Sequence, residues 1–324
     1  MQHNTTINDT LYLDLDCIFN ENDYIDDPAK YQKLKVKRII LFRTKTTSIA
    51  IRYGFLKFSK CTSIDFSLVS NVDRVWNNVL FGCSKLRSIN LSSFCNIDFI
   101  GDNFLKNAKK LETIIFNPLS KITTIGGRFL YGCSRLKSID LSFLSSTKEI
   151  GWFFLGECSR LTSIDLSPLK NITVINSNFL DRCKKITSID LSSLLNITHI
   201  GECVLSGCSE LISIKLPPNI IKIYQHFLLE CSKLTTIDLS SLTNIIYIDN
   251  WFLHNCPKME TIIVNNRIKN YVKDKISKLD NSNNINIICD IEEINTKKDN
   301  PTHYDTTDGT LYLKACLQYP YYFF

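Results

Sequence analysis

The sequence predicts an α/β solenoid of about nine to ten repeats, each 23–25 residues long, and three observations predict it. The first is the spacing of cysteines. Cys83, Cys133, Cys158, Cys183, Cys208, Cys231 and Cys256 are separated by 50, 25, 25, 25, 23 and 25 residues, and Ala108 fills the one gap. The second is an isoleucine six residues after each of these positions, from Ile89 through Ile114, Ile139, Ile164, Ile189, Ile214 and Ile237 to Ile262. Phe58 with Ile64 extends the series backward, and Ile39 begins it. The third is composition. With 44% hydrophobic and 22% charged residues, 11 Gly and 8 Pro, the 324-residue chain can bury a core, and disordered or collagen-like readings fail. Repetition at this period means supersecondary units that cannot bury their own apolar side chains and so fold only when stacked.

One unit shows why. In Leu161-x-x-Ile164-x-Leu166, Ile164 and Leu166 alternate with Ser163, Asp165 and Ser167, so strand pleating sends the aliphatics inward and the Ser/Asp set outward. Residues 171–175, Asn-Ile-Thr-Val-Ile, form a second extended stretch. Phe179-Leu180-x-x-Cys183 reads as a short turn or helical piece that closes the coil. The pattern Leu-x-x-Ile-x-Leu, then Ile-x-x-Ile-Gly, then Phe-x-x-Cys-x-x-Leu resembles the BspA-like leucine-rich repeats over about residues 34–265. The resemblance implies a curved, right-handed coil with a parallel sheet on its concave face, a role in protein–protein contact or surface adhesion, and no catalysis.

Repeats turn positions into columns. The cysteine column stands in apolar surroundings and accepts Phe58 and Ala108, which a metal site would not, so it reads as reduced, buried small hydrophobes. The outward strand column holds Asp65, Asn90, Asp140, Asp165, Asp190, Lys215 and Asp238 beside hydroxyls such as Ser138, Ser163 and Ser188. Successive carboxylates about 5 Å apart repel by roughly 0.8 kcal/mol per pair in water. A solvated repeat face and a docking surface for a basic partner, centred on Asp140, Asp165 and Asp190, are the two readings. A basic column follows each cysteine by two: Lys60, Lys85, Lys110, Arg135, Arg160, Lys185, Lys233 and Lys258, broken by Glu210. Such cations could answer the carbonyls of a C-terminal helical end, or form an edge for an acidic partner. No aromatic column is evident beside them, which argues against single-stranded nucleic acid. The column of Asn71, Asn96, Asn171, Asn196, Asn219 and Asn244 suits a bend.

Catalytic signatures are missing. The five His are scattered, and no metalloprotease, nucleophile-elbow or phosphate-loop motif occurs, so neither catalytic residue, cofactor nor metal is expected. The first residues lack the basic and apolar run of a signal peptide, and no stretch reaches the roughly 20 apolar residues of a membrane span. The expectation is an intracellular scaffold binding another protein through its concave face or basic edge. A surface or particle-associated adhesin is the alternative, and a substrate-recognition adaptor or weak nucleic-acid binder stands further back. Residues 1–33, acidic with alternating Leu11, Leu13 and Leu15, read as an N-terminal cap. Residues 34–265 are the solenoid, 266–291 a C-terminal cap opening on a charged helix, and 292–324 a polar linker with an aromatic tail.

Overall fold

Each repeat makes one coil in the computed structural model of the protein, which describes residues 5–7, 9–18, 36–277, 279 and 284–289. About ten coils stack as a parallel β-solenoid with two strand-bearing faces. The Ser-Ile-Asp strands build the first sheet, running through Thr10–Asp14, Arg38–Phe42, Ser63–Leu68, Ser88–Leu91 and Thr113–Phe116. They resume in Ser188–Asp190 with Ser213–Lys215, and in Thr236–Asp238, Thr261–Val264 and Asn286–Cys289. The register is that of the sequence columns: Ser63, Ile64 and Asp65 lie opposite Ser88, Ile89 and Asn90, and Ile39 opposite Ile64. At the N-terminal edge Thr10–Asp14 pairs in parallel with Arg38–Phe42, while Thr5–Ile7 folds back antiparallel on it. Leu11, Leu13 and Leu15 there are buried.

The second extended stretch forms a sheet of its own. Short strands from Ile49–Ile51 to Glu149–Ile150, and from Val174–Ile175 to Tyr247–Ile248, pair coil to coil. Their inward isoleucines, Ile100, Ile125, Ile150, Ile175, Ile200, Ile223 and Ile248, are buried. Between the two sheets runs a file of phenylalanine rings. Phe104, Phe129, Phe154 and Phe179 stack at centroid separations of 5.8, 5.5 and 5.3 Å.

Helix is scarce, so the α part of the expected α/β class is small. Among the described residues it amounts to Leu15–Ile18, Lys269–Ile276 and two 3-10 turns, Ser142–Leu144 and Ser167–Leu169. The Phe-Leu-x-x-Cys piece is a turn, and its backbone explains why. Every second residue is left-handed: Arg128, Leu130 and Gly132 at φ 58°, 55° and 73°, then Phe153, Leu155 and Glu157 at 57°, 54° and 56°. Left-handed residues between right-handed ones cannot continue a helical ladder, and each non-glycine costs roughly 1–2 kcal/mol. The geometry aims their N–H groups at neighbouring coils. Arg128 and Gly132 donate forward to the Trp152 and Gly156 carbonyls at 2.7 and 2.8 Å, whereas Leu130 donates backward to Phe104 at 3.0 Å. The same forward and backward scheme recurs in the coils of Leu105, Leu155, Leu180 and Leu205. A hydrogen-bond ladder thus holds the coils together at the turn edge, where no sheet forms.

The chain divides into residues 1–290 and 291–324. The expected linker and aromatic tail at 292–324, and most of the acidic segment at 1–33, lie outside the described residues.

Candidate functional site

The cysteine column is interior. Cys83, Cys133, Cys158, Cys183, Cys208, Cys231 and Cys256 are buried, and each thiol donates to the carbonyl of the left-handed leucine one coil earlier, as Cys183 does to Leu155 at 3.2 Å and Cys256 to Leu228 at 3.1 Å. Cysteine is therefore more than a small hydrophobe here, because its S–H answers a carbonyl that the unusual turn displays to the core. Burial pushes the Cys158, Cys208 and Cys256 thiols up to about 12, which keeps them protonated donors. One member of the column differs from the sequence alignment. Phe58 is 41% exposed with φ 61°. Ser59, three residues after the left-handed Leu56, holds the buried position. The first coil is one residue shorter between turn and strand, so counting back from Cys83 by 25 lands one position early. Its hydroxyl donates not to a carbonyl one coil earlier but to the Cys61 sulfur, at 3.2 Å. We expect Cys183→Ser to stay within about 1 kcal/mol of the parent protein and Cys183→Ala to lose roughly 1–2 kcal/mol in urea titrations.

The outward aspartates have a structural task as well. Asp65, Asp140, Asp165, Asp190 and Asp238 each accept, through Oδ1, the backbone N–H of the serine two residues on, at 2.8–2.9 Å. Asn90 does the same for Ser92 at 3.0 Å. This is the Asx turn that ends the strand. The second carboxylate oxygen differs along the column. That of Asp65 meets Arg38 at 3.5 Å and that of Asp190 meets Lys215 at 3.4 Å. Asp190 is held below the usual carboxylate range by the Ser192 hydroxyl and N–H, with Lys215 adding to them. Asp140 and Asp165 are exposed, as are Ser138, Ser163 and Ser188. The first sheet has no assigned strand pairing at 138–140 and 163–165, where these carboxylates stack without an intervening cation. At the N-terminal end of the same face lies a shallow groove of about 360 Å³ lined by Arg38, Ser63, Asp65, Ser88, Asn90 and Thr113.

The asparagine column binds between coils rather than within its own bend. Asn71, Asn171, Asn196 and Asn219 donate through Nδ2 to the carbonyls of Thr46, Ser145, Lys170 and Leu195 at 2.6–2.9 Å.

The basic column stands on the turn edge. Lys85, Arg160 and Lys185 are exposed and Arg135 is half-buried, 3.3 Å from Glu112. Because the preceding turn is not helical, these cations cap no helix, and that explanation for them falls away. Aromatic rings stand on the same turn, against a different set of cations. Lys57, Phe81, Lys106 and Tyr131 each follow a left-handed leucine, and cation and ring alternate along the axis. The Lys57 ammonium lies 5.0 and 5.1 Å from the ring centres of Phe58 and Phe81, and that of Lys106 lies 5.5 and 5.7 Å from Phe81 and Tyr131. Arg128 sits 3.7 Å over Trp152. In the cysteine alignment Phe81, Lys106 and Tyr131 stand two residues before the column, and only Lys57 is displaced, by the one-residue contraction of the first coil.

A buried carboxylate occupies the same column farther along, after the left-handed Leu180. Asp181, 7% exposed, is raised to about 6, first by burial and then by Glu157 and Glu230, against the opposing pull of Arg182 and Ser206. Among the described residues no group of three or more His, Cys, Asp or Glu side chains could hold a metal ion, and no helix is long and apolar enough to cross a membrane.

Parallel coils carrying Leu-x-x-Ile-x-Leu strands define a leucine-rich-repeat solenoid. The family model for the BspA type leucine-rich repeat region matches residues 50–187 and 173–298, in six copies, and the chain belongs to that family. A leucine-rich repeat protein from Bacteroides ovatus is similar at 20% identity and TM-score 0.54, over 67% of this chain and 58% of that one. The chain thus spans less than two thirds of that protein. The T. pallidum leucine-rich repeat protein is similar at 20% identity and TM-score 0.45, over 65% and 91% of the two chains. A leucine-rich cell surface protein from Faecalibacterium prausnitzii is similar at 22% and 0.41, over 55% and 42%. No curated protein matches the sequence.

Proposed function

We propose that the chain is a non-enzymatic binding module that holds another protein on the outward face of its first sheet, around Asp140, Asp165 and Asp190 with Ser138, Ser163 and Ser188. The observation that carries this reading is the unneutralised run of Asp140 and Asp165. Asp190, the next carboxylate in the column, has Lys215 as its partner, and Asp65, three coils before Asp140, has Arg38, and like charges stacked on one sheet face oppose its pairing. A lysine- or arginine-bearing partner would supply the missing counter-charge. Lys85, Arg135, Arg160 and Lys185 offer a second, oppositely charged edge. Affinity capture with the parent protein and with Asp140→Lys/Asp165→Lys/Asp190→Lys tests the proposal. A partner lost only with the variant supports it, and partners retained by both exclude the acidic face.

A cytoplasmic scaffold is the setting that the buried, protonated thiols favour, whereas family membership favours a surface role. Alkylating the denatured chain without reductant, together with cell fractionation, separates the two settings: blocked thiols in a surface fraction would overturn the cytoplasmic reading.

A further inference from the structure

We propose that the turn edge of the six coils whose column residues run from Ser59 to Cys183 is a track for a linear anionic polysaccharide. The segments at 59–62, 84–87, 109–112, 134–137, 159–162 and 184–187 carry ten Lys or Arg against one carboxylate, Glu112, a larger local excess than the whole chain's +6. Lys60, Lys85, Lys110, Arg160 and Lys185 are exposed, one from each coil except that of Arg135. Arg87, Lys109, Lys137 and Lys184, exposed as well, double most of these positions. Hydrogen bonds between coils align the segments: Arg87 N–H donates to the Thr62 carbonyl at 2.8 Å, and the Ser134 hydroxyl donates to that of Lys109 at 3.3 Å. At about 4.8 Å per coil the track is roughly 24 Å long.

Two observations set this strip apart from repeat consensus. The fold gives the cations no capping task, since the turn before them is not a helical end. The net excess also stops: the next three segments hold Lys233 and Lys258 against Glu210, which pairs with Lys233, and Glu260.

The form of the strip selects the polymer. An extended peptide presents same-side groups about 6.8 Å apart, out of step with coils spaced about 4.8 Å. Duplex nucleic acid is read by an element inserted in a groove, and this edge presents none. Single strands stack on successive ring faces, but here the rings alternate with Lys57, Lys106 and Arg128, which cover one face of Phe58, Phe81, Tyr131 and Trp152. A sugar ring is close to one coil in length, and one sulfate or carboxylate per ring would meet the cations of each coil. The Ser84, Ser134 and Ser159 column provides neighbouring hydroxyls.

The inference concerns a different surface and ligand from the acidic face, so its failure leaves the protein-binding proposal standing. The test is titration of the full chain with heparin as the sulfated probe, beside desulfated heparin, a polyglutamate peptide and a single-stranded oligonucleotide. The track predicts heparin binding that weakens about a hundredfold or more between low and physiological salt. It predicts a similar loss in Lys85→Glu/Arg160→Glu/Lys185→Glu, with thermal unfolding unchanged. The control Lys121→Glu/Lys148→Glu/Lys170→Glu, with the same charge change at exposed positions elsewhere, should retain binding. Equal loss in the control, salt-insensitive binding, or polyglutamate or oligonucleotide binding as tight as heparin would overturn the proposal.

Discussion

Phe154→Ala will lower the free energy of unfolding by about 3–5 kcal/mol in urea titrations, the usual cost of removing a fully buried ring. Phe154 is 0% exposed and stacks between Phe129 and Phe179 at 5.5 and 5.3 Å. The loss includes two ring–ring contacts as well as the cavity. The damage should also be regional. Each coil rests only on its neighbours, and Phe154 also lends its carbonyl to the Leu180 N–H at 3.0 Å. Hydrogen exchange should therefore accelerate first at Leu155 and Leu180, on either side of the gap, and later at coils near either end. Uniform acceleration along the chain would contradict coil-by-coil stabilisation.

Asp181→Asn will stabilise the protein near neutral pH by up to about 3 kcal/mol, the equivalent of moving a carboxyl from 3.8 to about 6. The sign follows from proton binding. Between those values the folded protein holds a proton on Asp181 that the unfolded chain has released, so stability falls as pH rises through this window. Below about pH 4 both states are protonated and the substitution gains nothing. Equal stabilisation at about pH 4 and about pH 7.5 would show that packing rather than ionisation is responsible. The attraction of Arg182, whose Nε lies 4.0 Å from Oδ2, is already contained in the shift to about 6, and solvent screening makes the full figure an upper bound.

The coil was legible from the sequence because its period is written twice, in the Cys column and in the Ile column, and because Ser-Ile-Asp alternation permits one strand orientation. Its turn was not. Leucine disfavours the left-handed region, so nothing in Phe-Leu-x-x-Cys announces Leu130 at φ 55° or Leu180 at φ 56°. These leucines are held there by apolar burial and by hydrogen bonds to other coils, both tertiary effects. The cation column was found, but its helical-end explanation failed for the same reason. Ser59 was missed because a one-residue contraction broke the count from Cys83. Of the acidic face, the position of Asp140, Asp165 and Asp190 was legible. Their strand-ending task was implicit in the Asp-x-Ser spacing, which places the serine N–H within reach of the carboxylate. Asp181 stands in the column of Lys57, Phe81, Lys106 and Tyr131, one residue after a left-handed leucine, but its shift comes first from burial and then from Glu157 and Glu230, which only the packing reveals.

The central claim is that the coil, and not any larger unit, is the element of structure. Excising one coil tests it most directly, by removing residues 154–178 so that Phe153 leads into Phe179. The account predicts a soluble protein with a single cooperative urea transition and an unchanged circular-dichroism shape, because the flanking coils present the same left-handed turn, ring and strand to each other. Excising only 154–165 should abolish that transition. Loss of cooperative unfolding after the whole-coil excision, or its survival after the half-coil one, would contradict the account.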